Sequence, residues 1–255
     1  MSAAPDPSPR LAVADVPASR GLQWLGTGFA IFRGQPLAWV GLAMGWLVVT
    51  LGLALVPLVG GVAASLLQPV FFASFVLAAQ RQLADERPQM GDLFLGFRGN
   101  IRALLNLGAV LMLARLAIVM LMGALGLPST LGPPGATVSP DEVMQALDGK
   151  MWIVAVGFLL VTLLTGATWF APALIAFHGL SASHALRWSL FAALSNVGAL
   201  LVYGFALTVM FFVAMIPWGL GLFVALPLML TSTYVGYREV FEPPGAPVVP
   251  HEPAA

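Results

Sequence analysis

Long apolar runs, separated by short stretches in which apolar residues recur every three or four positions, set the pattern of this chain. The clearest instance is Gly91–Gly126. Leu93, Phe94, Phe97 and Ile101 fall at helical spacing, with Arg98 and Arg102 beside them, and a long apolar run follows that only Arg115 interrupts. An apolar face with basic flanks suits a helix lying in a membrane interface, and a run of about 20 apolar residues crosses the hydrocarbon core. The pattern predicts an in-plane helix feeding a spanning helix.

The same pair recurs on either side. In Gly21–Gln35, Leu22, Leu25, Phe29 and Phe32 make one stripe that ends at Arg33, and Pro36 suits the first position of the spanning helix that follows. Along that span Ala38, Gly45 and Gly52 fall seven apart, with Gly41 four before Gly45. Such a small-residue seam fits close packing within the monomer, with a dimer contact as the alternative. The chain returns through Gly61–Gln80, where Pro69 near the middle predicts a kink and a freed carbonyl that Ser65 or Gln68 is placed to satisfy. After the central pair comes a polar loop, Leu127–Lys150, with one short helix expected at Ser139–Glu142. The fourth span, Met151–Phe177, carries Thr162, Thr165, Thr168 and, near its end, Pro172. Leu186, Leu190 and Leu194 mark a third in-plane helix within His178–Val197, before Gly198–Met215 and Pro217–Tyr237. Pro227 breaks the last span much as Pro69 breaks the second.

The expected fold is therefore all-α: a polytopic membrane bundle of six transmembrane helices, with short in-plane amphipathic helices before spans 1, 3 and 5. Three modules, about 21–85, 86–178 and 179–240, lie between proline-rich segments 1–20 and 241–255, which read as disordered cytoplasmic tails. Met1–Arg20 does not have the form of a signal peptide. Phe32-Arg33-Gly34-Gln35 echoes Phe97-Arg98-Gly99-Asn100, and Asn196 stands at the same point of the third module. The modules share one orientation, unlike the inverted repeats of many transporters.

Composition narrows the class. The chain is 59% hydrophobic and 9% charged, against roughly 25% charged in soluble domains, which excludes a water-soluble globule. Its formal net charge is zero, so nothing points to nucleic acid. Charges set the threading. Arg10, Arg20, Arg33, Arg81, Arg87, Arg98, Arg102, Arg187 and Arg238 fall on one side of the six spans, and Lys150 alone, beside Asp141, Glu142 and Asp148, on the other. Both termini are expected in the cytoplasm.

Little catalytic chemistry is in view. His178 and His184 flank Ser181 and Ser183, but no acid lies in that connection to orient a histidine, and the spacing fits no usual metal motif. No catalytic, cofactor-binding or metal-binding residue is assigned, and the expectation is a protein that is not an enzyme and has no cofactor. Three sets of residues stand out. Arg115 is a candidate intramembrane polar site, because a central arginine costs roughly 2.5–3.5 kcal/mol on insertion scales. Gly108 and Gly126 share its side of the helix and Asn106 points away, so it is expected to turn inward, toward carbonyls freed near Pro69 or Pro227 or the threonines of span four. The alternative is a side chain snorkelling along lipid. Arg33, Arg98 and Arg102 are candidate lipid-headgroup contacts, the alternative being topology signals only. Pro69, Pro172 and Pro227 are candidate kinks. Trp24, Trp39, Trp152, Trp188 and Trp218 fall near expected interfaces, where aromatics anchor.

Phe29–Pro36 (FAIFRGQP), Ala171–Gly179 (APALIAFHG) and Ala185–Gly204 (ALRWSLFAALSNVGALLVYG) resemble an uncharacterised family of bacterial six-span inner-membrane proteins, over about Ser19 to Val240. A more distant similarity is to the membrane domain attached to some bacterial glycerophosphodiester phosphodiesterases. The acids and histidines of the phosphodiesterase part are missing, so the resemblance implies membrane architecture and no enzymatic residue. The functional expectation is a non-enzymatic scaffold, assembly or lipid-interacting module, the alternative being a small transporter or channel that uses proline-kinked spans 2 and 6 and Arg115. Expected partners are membrane lipids and no nucleic acid; a second copy of the chain or another membrane protein stays open.

Overall fold

The structure, a computed structural model, describes residues 11–57, 59–127 and 147–242. The outer parts of both expected tails and the short helix expected at Ser139–Glu142 lie outside the described residues. Among the described residues the chain is entirely helical: α1 (Arg20–Gly34), α2 (Pro36–Ala54), α3 (Val59–Leu83), a 3₁₀ helix (Met90–Phe97), α4 (Ile101–Ala124), α5 (Met151–Trp169), α6 (Ala171–His178), α7 (Ala182–Ser195), α8 (Val197–Met215) and α9 (Leu222–Phe241). The echo read between modules has a structural counterpart. Gln35, Asn100 and Asn196 are the N-cap residues of α2, α4 and α8, and Asn100 accepts the Ala103 N–H at 3.2 Å.

The inside of the bundle is formed by α3, α6 and α9; α5 is not part of it, the apolar window of Met151–His178 being 11% buried. In α3 the buried run is Pro69–Ala79, broken only by partly covered Phe72 and Leu77. In α9 Leu230–Tyr234 are buried, and α6 is buried along nearly its whole length. Phe177 of α6 stacks on Tyr237 of α9 with ring centroids 5.1 Å apart, and α3 touches both. The leading helices α2, α4 and α8 lie outside, with 17–22% of their apolar windows buried against 50% for α3.

The short elements close this arrangement into a ring, because each packs on the return helix of the preceding module. The 3₁₀ helix lies on α3, α7 lies on α5 and α6, and α1, the first element, lies on α9, the last. Small residues and hydroxyls make each contact. Gly96 of the 3₁₀ helix sits on Val70, and its N–H donates to Ser74 Oγ at 2.9 Å. Gly28 of α1 sits on Ser232, so closely that a Cβ would lie 2.7 Å from the Ser232 backbone, and Thr231 Oγ1 donates to its carbonyl at 2.9 Å. Ser74 and Ser232 each stand five residues after a buried proline, Pro69 and Pro227. In the middle contact the roles reverse. Ser189 belongs to the short helix, accepts the Phe170 N–H at 3.0 Å and donates to the Gly166 carbonyl at 2.9 Å.

Several expectations change. Among the described residues five helical stretches are long and apolar enough to cross a membrane: α2, α3, α4, the combined stretch Met151–His178, and α8. The expected sixth, α9, falls short because Thr231, Ser232, Thr233, Tyr234, Tyr237, Arg238 and Glu239 dilute its apolar half. Thr231, Ser232, Thr233, Tyr234 and Tyr237 are inside the bundle, where the three short hydroxyls find helix carbonyls, while Arg238 is exposed. The second in-plane element is a 3₁₀ helix, not an amphipathic α-helix. Gln89 and Asp92 box its start, and Asp92, buried, also holds Arg81 at 2.8 Å. In the three short elements the bulky stripe read from the sequence is only partly the packed face: Phe32 and Leu93 are buried and Phe97 packs on Phe71, but other members of the stripe face outward. Leu22, Phe29, Phe94 and Leu194 are exposed, while Gly21, Gly28, Gly96, Ala185, Ser189 and Ala192 are buried. The seam on α2 is used in part: Gly41 and Gly45 receive Met90 and Leu93, and Gly52 faces open space.

Two tryptophans expected as interfacial anchors are core residues. Trp24 Nε1 donates to Glu239 Oε2 at 2.8 Å and Trp39 Nε1 to Gln82 Oε1 at 2.6 Å, both rings being buried. Nor is the segment before α1 a tail throughout. Val16 is buried, its N–H donates to Asn196 Oδ1 at 2.8 Å, and the Ala14 N–H donates to the Val240 carbonyl at 2.8 Å. Arg20 pairs with Glu239. The start and end of the described chain thus meet at one end of the bundle.

Candidate functional site: a cavity at Arg115 beside the buried prolines

Where α3, α4 and α5 separate above the proline level, a cavity of about 220 Å³ opens. α3 supplies Gln68 and Pro69, α4 supplies Arg115, α5 supplies Thr165, Thr168 and Trp169, and Pro172 and Met229 form part of the wall. Arg115 reaches it because Gly108, two turns earlier on α4, lies directly on the Leu66 backbone and draws α4 against α3. The guanidinium Nη1 donates to Gln68 Oε1 at 3.1 Å. Arg115 and Gln68 are both exposed, so they stand at the open side of the cavity.

Its polar groups are mostly donors. Gln68 spends its oxygen on Arg115, which leaves its amide N–H groups directed elsewhere. The Trp169 Nε1–H is buried with no hydrogen-bond partner, a state that costs roughly 1–3 kcal/mol. The threonine hydroxyls are committed to their own helix, Thr165 to the Val161 carbonyl at 2.8 Å and Thr168 to the Thr165 carbonyl at 3.0 Å. No acid pairs with Arg115 among the described residues. A second recess of about 280 Å³ adjoins the first and shares Thr165 and Trp169 with it. It runs between α5, α7 and α8 along Val161, Leu190, Ala193, Leu200 and Gly204 and is almost wholly apolar.

The candidate kinks are all buried at this level, in two forms. Pro69 and Pro227 lie inside continuous helices. Pro172 does not: the helix stops at Phe170, and Pro172 is near the start of α6, where its missing N–H has no helical partner to lose. Arg33, Arg98 and Arg102 are placed elsewhere, exposed near the end where the chain's two described ends meet. Arg20, Arg81 and Arg238 take up Glu239, Asp92 and Glu242. Arg33, Arg87, Arg98, Arg102 and Arg187 pair with no acid among the described residues.

A protein of Burkholderia thailandensis described as a probable inner membrane protein is 32% identical over 273 aligned positions, covering 93% of this chain and 97% of its own length. The chain belongs to that bacterial inner-membrane protein family. No family model matches the chain, and no solved structure does. Membership and the five apolar helices together make it a multi-pass protein of the inner membrane.

In this family member Arg115 does not turn inward onto carbonyls or the threonines of span four as expected: it is exposed and donates to the side chain of Gln68, which was expected to satisfy the backbone near Pro69, and Trp169 was not singled out. The available signal was spacing: Trp169 follows Thr165 by four residues, which puts both on one face of α5. Its unpaired N–H has no signature in sequence. The Ser181–His184 pair is local and exposed, Ser181 Oγ meeting His184 Nδ1 at 3.0 Å. No cluster of three or more metal-ligating side chains occurs among the described residues.

Proposed function

We propose that the protein is a non-enzymatic, lipid-interacting module of the inner membrane, with six spans, both termini in the cytoplasm and its short helices at the cytoplasmic interface. The observation that carries this reading is the set of exposed arginines without acidic partners, Arg33, Arg98 and Arg102 among them, at one end of a bundle otherwise apolar outside. Each basic residue beside anionic lipid contributes about 1 kcal/mol. The meeting of Arg20 with Glu239 supports an even number of crossings, with α9 as the sixth, screened from lipid by its neighbours. A scaffold or assembly role fits the same surface, with membrane lipids, a second copy or another membrane protein as partners. The distant similarity to the phosphodiesterase-linked membrane domain enters this reading as architecture only.

Replacing Arg98 and Arg102 together with Gln should reduce co-purified phosphatidylglycerol and cardiolipin several-fold. Unchanged lipid content would reduce those arginines to topology signals. Reporter fusions at Glu86 and Ser183 should report cytoplasm and a fusion at Thr137 periplasm; a periplasmic Ser183 would remove the six-span arrangement.

A small transporter or channel is the second reading, favoured by the cavity at Arg115 beside Pro69 and Pro172. It requires anion flux into proteoliposomes that Arg115→Gln abolishes.

A further inference from the structure

We infer that the Arg115 cavity and the adjoining apolar recess are one binding site for an anionic amphiphile, taking a phosphate-bearing head at Arg115 and an acyl chain along α5, α7 and α8. This deepens the lipid-interacting reading and rests on it, but uses a different set of residues. Three observations carry it. The first is charge: Arg115 makes one hydrogen bond, to a neutral amide, and meets no carboxylate among the described residues, so a cation in the apolar half of the bundle lacks a counter-ion. The second is donor excess. The remaining guanidinium N–H groups and the Gln68 amide, both at the open side, call for acceptors, and a phosphate offers acceptor oxygens in the geometry that arginine matches best. The third is adjacency, since Thr165 and Trp169 line both recesses and the second is apolar where a chain would leave the head. A free anion would satisfy the first two observations and make no use of the third.

The test separates head from chain. Wild type, Arg115→Gln, Arg115→Lys and Gly204→Phe are purified in mild detergent and exchanged into mixtures of phosphatidylglycerol and phosphatidylcholine. Retained lipid is counted by native mass spectrometry, and melting temperature is read with added inorganic phosphate. Gly204 lines the apolar recess, and a Cβ there meets nothing within 4 Å, so phenylalanine fills the recess without disturbing the backbone.

Wild type should retain one phosphatidylglycerol in preference to phosphatidylcholine. Arg115→Gln should lose that preference at least tenfold, Arg115→Lys should keep part of it, and Gly204→Phe should lose the lipid while keeping a normal melting temperature. Stabilisation of wild type by inorganic phosphate, undiminished in Gly204→Phe and with no lipid preference, would overturn the amphiphile and leave a free-anion site. If Arg115→Gln retains lipid as wild type does while the Arg98/Arg102 variant loses it, this inference fails and the interfacial reading stands. If no variant, nor wild type, prefers the anionic lipid, both fail.

Discussion

The two ends of this bundle are made from the same helices and differ in almost everything else. At the arginine-rich end, Pro69–Ala79 of α3 are nearly all buried, the short helices fill the spaces between long ones, and Trp24, Trp39, Asp92 and Asn196 each have named partners. At the other end, from Met151 to Leu164 of α5, Ile153 alone is buried, and bulky residues such as Phe158, Phe205 and Phe212 stand at 73–75% exposure. Both ends are apolar, so hydrophobicity does not distinguish them. What differs is the distribution of small residues and hydroxyls. Between membrane helices the hydrophobic drive is weak, because lipid tails are as apolar as leucine, and association depends on close approach and interhelical hydrogen bonds. The arginine-rich end has both. The other end presents its side chains outward.

That contrast is easiest to break at Gly28. Gly28→Leu drives a side chain into the Ser232 backbone and should cost about 3 kcal/mol, the upper part of the range for overpacking, seen as a large fall in melting temperature in detergent. Gly52→Leu, on a glycine with nothing within 4 Å, should leave it unchanged. Equal losses at the two glycines would mean that the ring contact is not what holds the fold. A smaller effect is expected from Trp24→Phe, which keeps the ring but removes the donor to Glu239; about 2 kcal/mol is the scale of a hydrogen bond to a charged group. Smallest should be Phe158→Ala at the open end, within about 0.5 kcal/mol as for substitutions away from packed features. A loss there comparable to Trp24→Phe would indicate that the open end is covered by another protein in the purified state.

Helix positions were legible because apolar runs and their punctuation are strong signals. Pro36 opens α2, and Gln35, Asn100 and Asn196 stand at equivalent helix starts. Burial was not legible in the same way. Leu22, Phe29 and Leu194 look like a core stripe to a reader trained on soluble helices, yet in a membrane protein the exterior is also apolar, and it is Gly28, Gly96 and Ala192 that mark the interior. The last helix shows the converse: its Thr231–Tyr234 stretch dilutes the hydropathy of a segment lying deep inside. For Arg115, Gly108 on the same helix face pointed inward, and Gly108 does sit on Leu66, but one face carries both only roughly and Arg115 itself ends exposed beside Gln68. The open side of the cavity and the unpaired Trp169 nitrogen depend on how α5 leans from α3 and α4, which no local pattern encodes.

The closing of the ring by α1 on α9 also imposes an order of events during biosynthesis. Thr231 and Gly28, which share a hydrogen bond, are 203 residues apart. At about 5–20 residues per second of translation, the first helix waits roughly 10–40 s for the surface it will occupy. Until then its glycine face is uncovered, and the nascent chain must hold an unfinished ring in the bilayer. A ribosome that stops before α9 leaves the first module without its last partner, so truncation from the C-terminus is felt at the N-terminus.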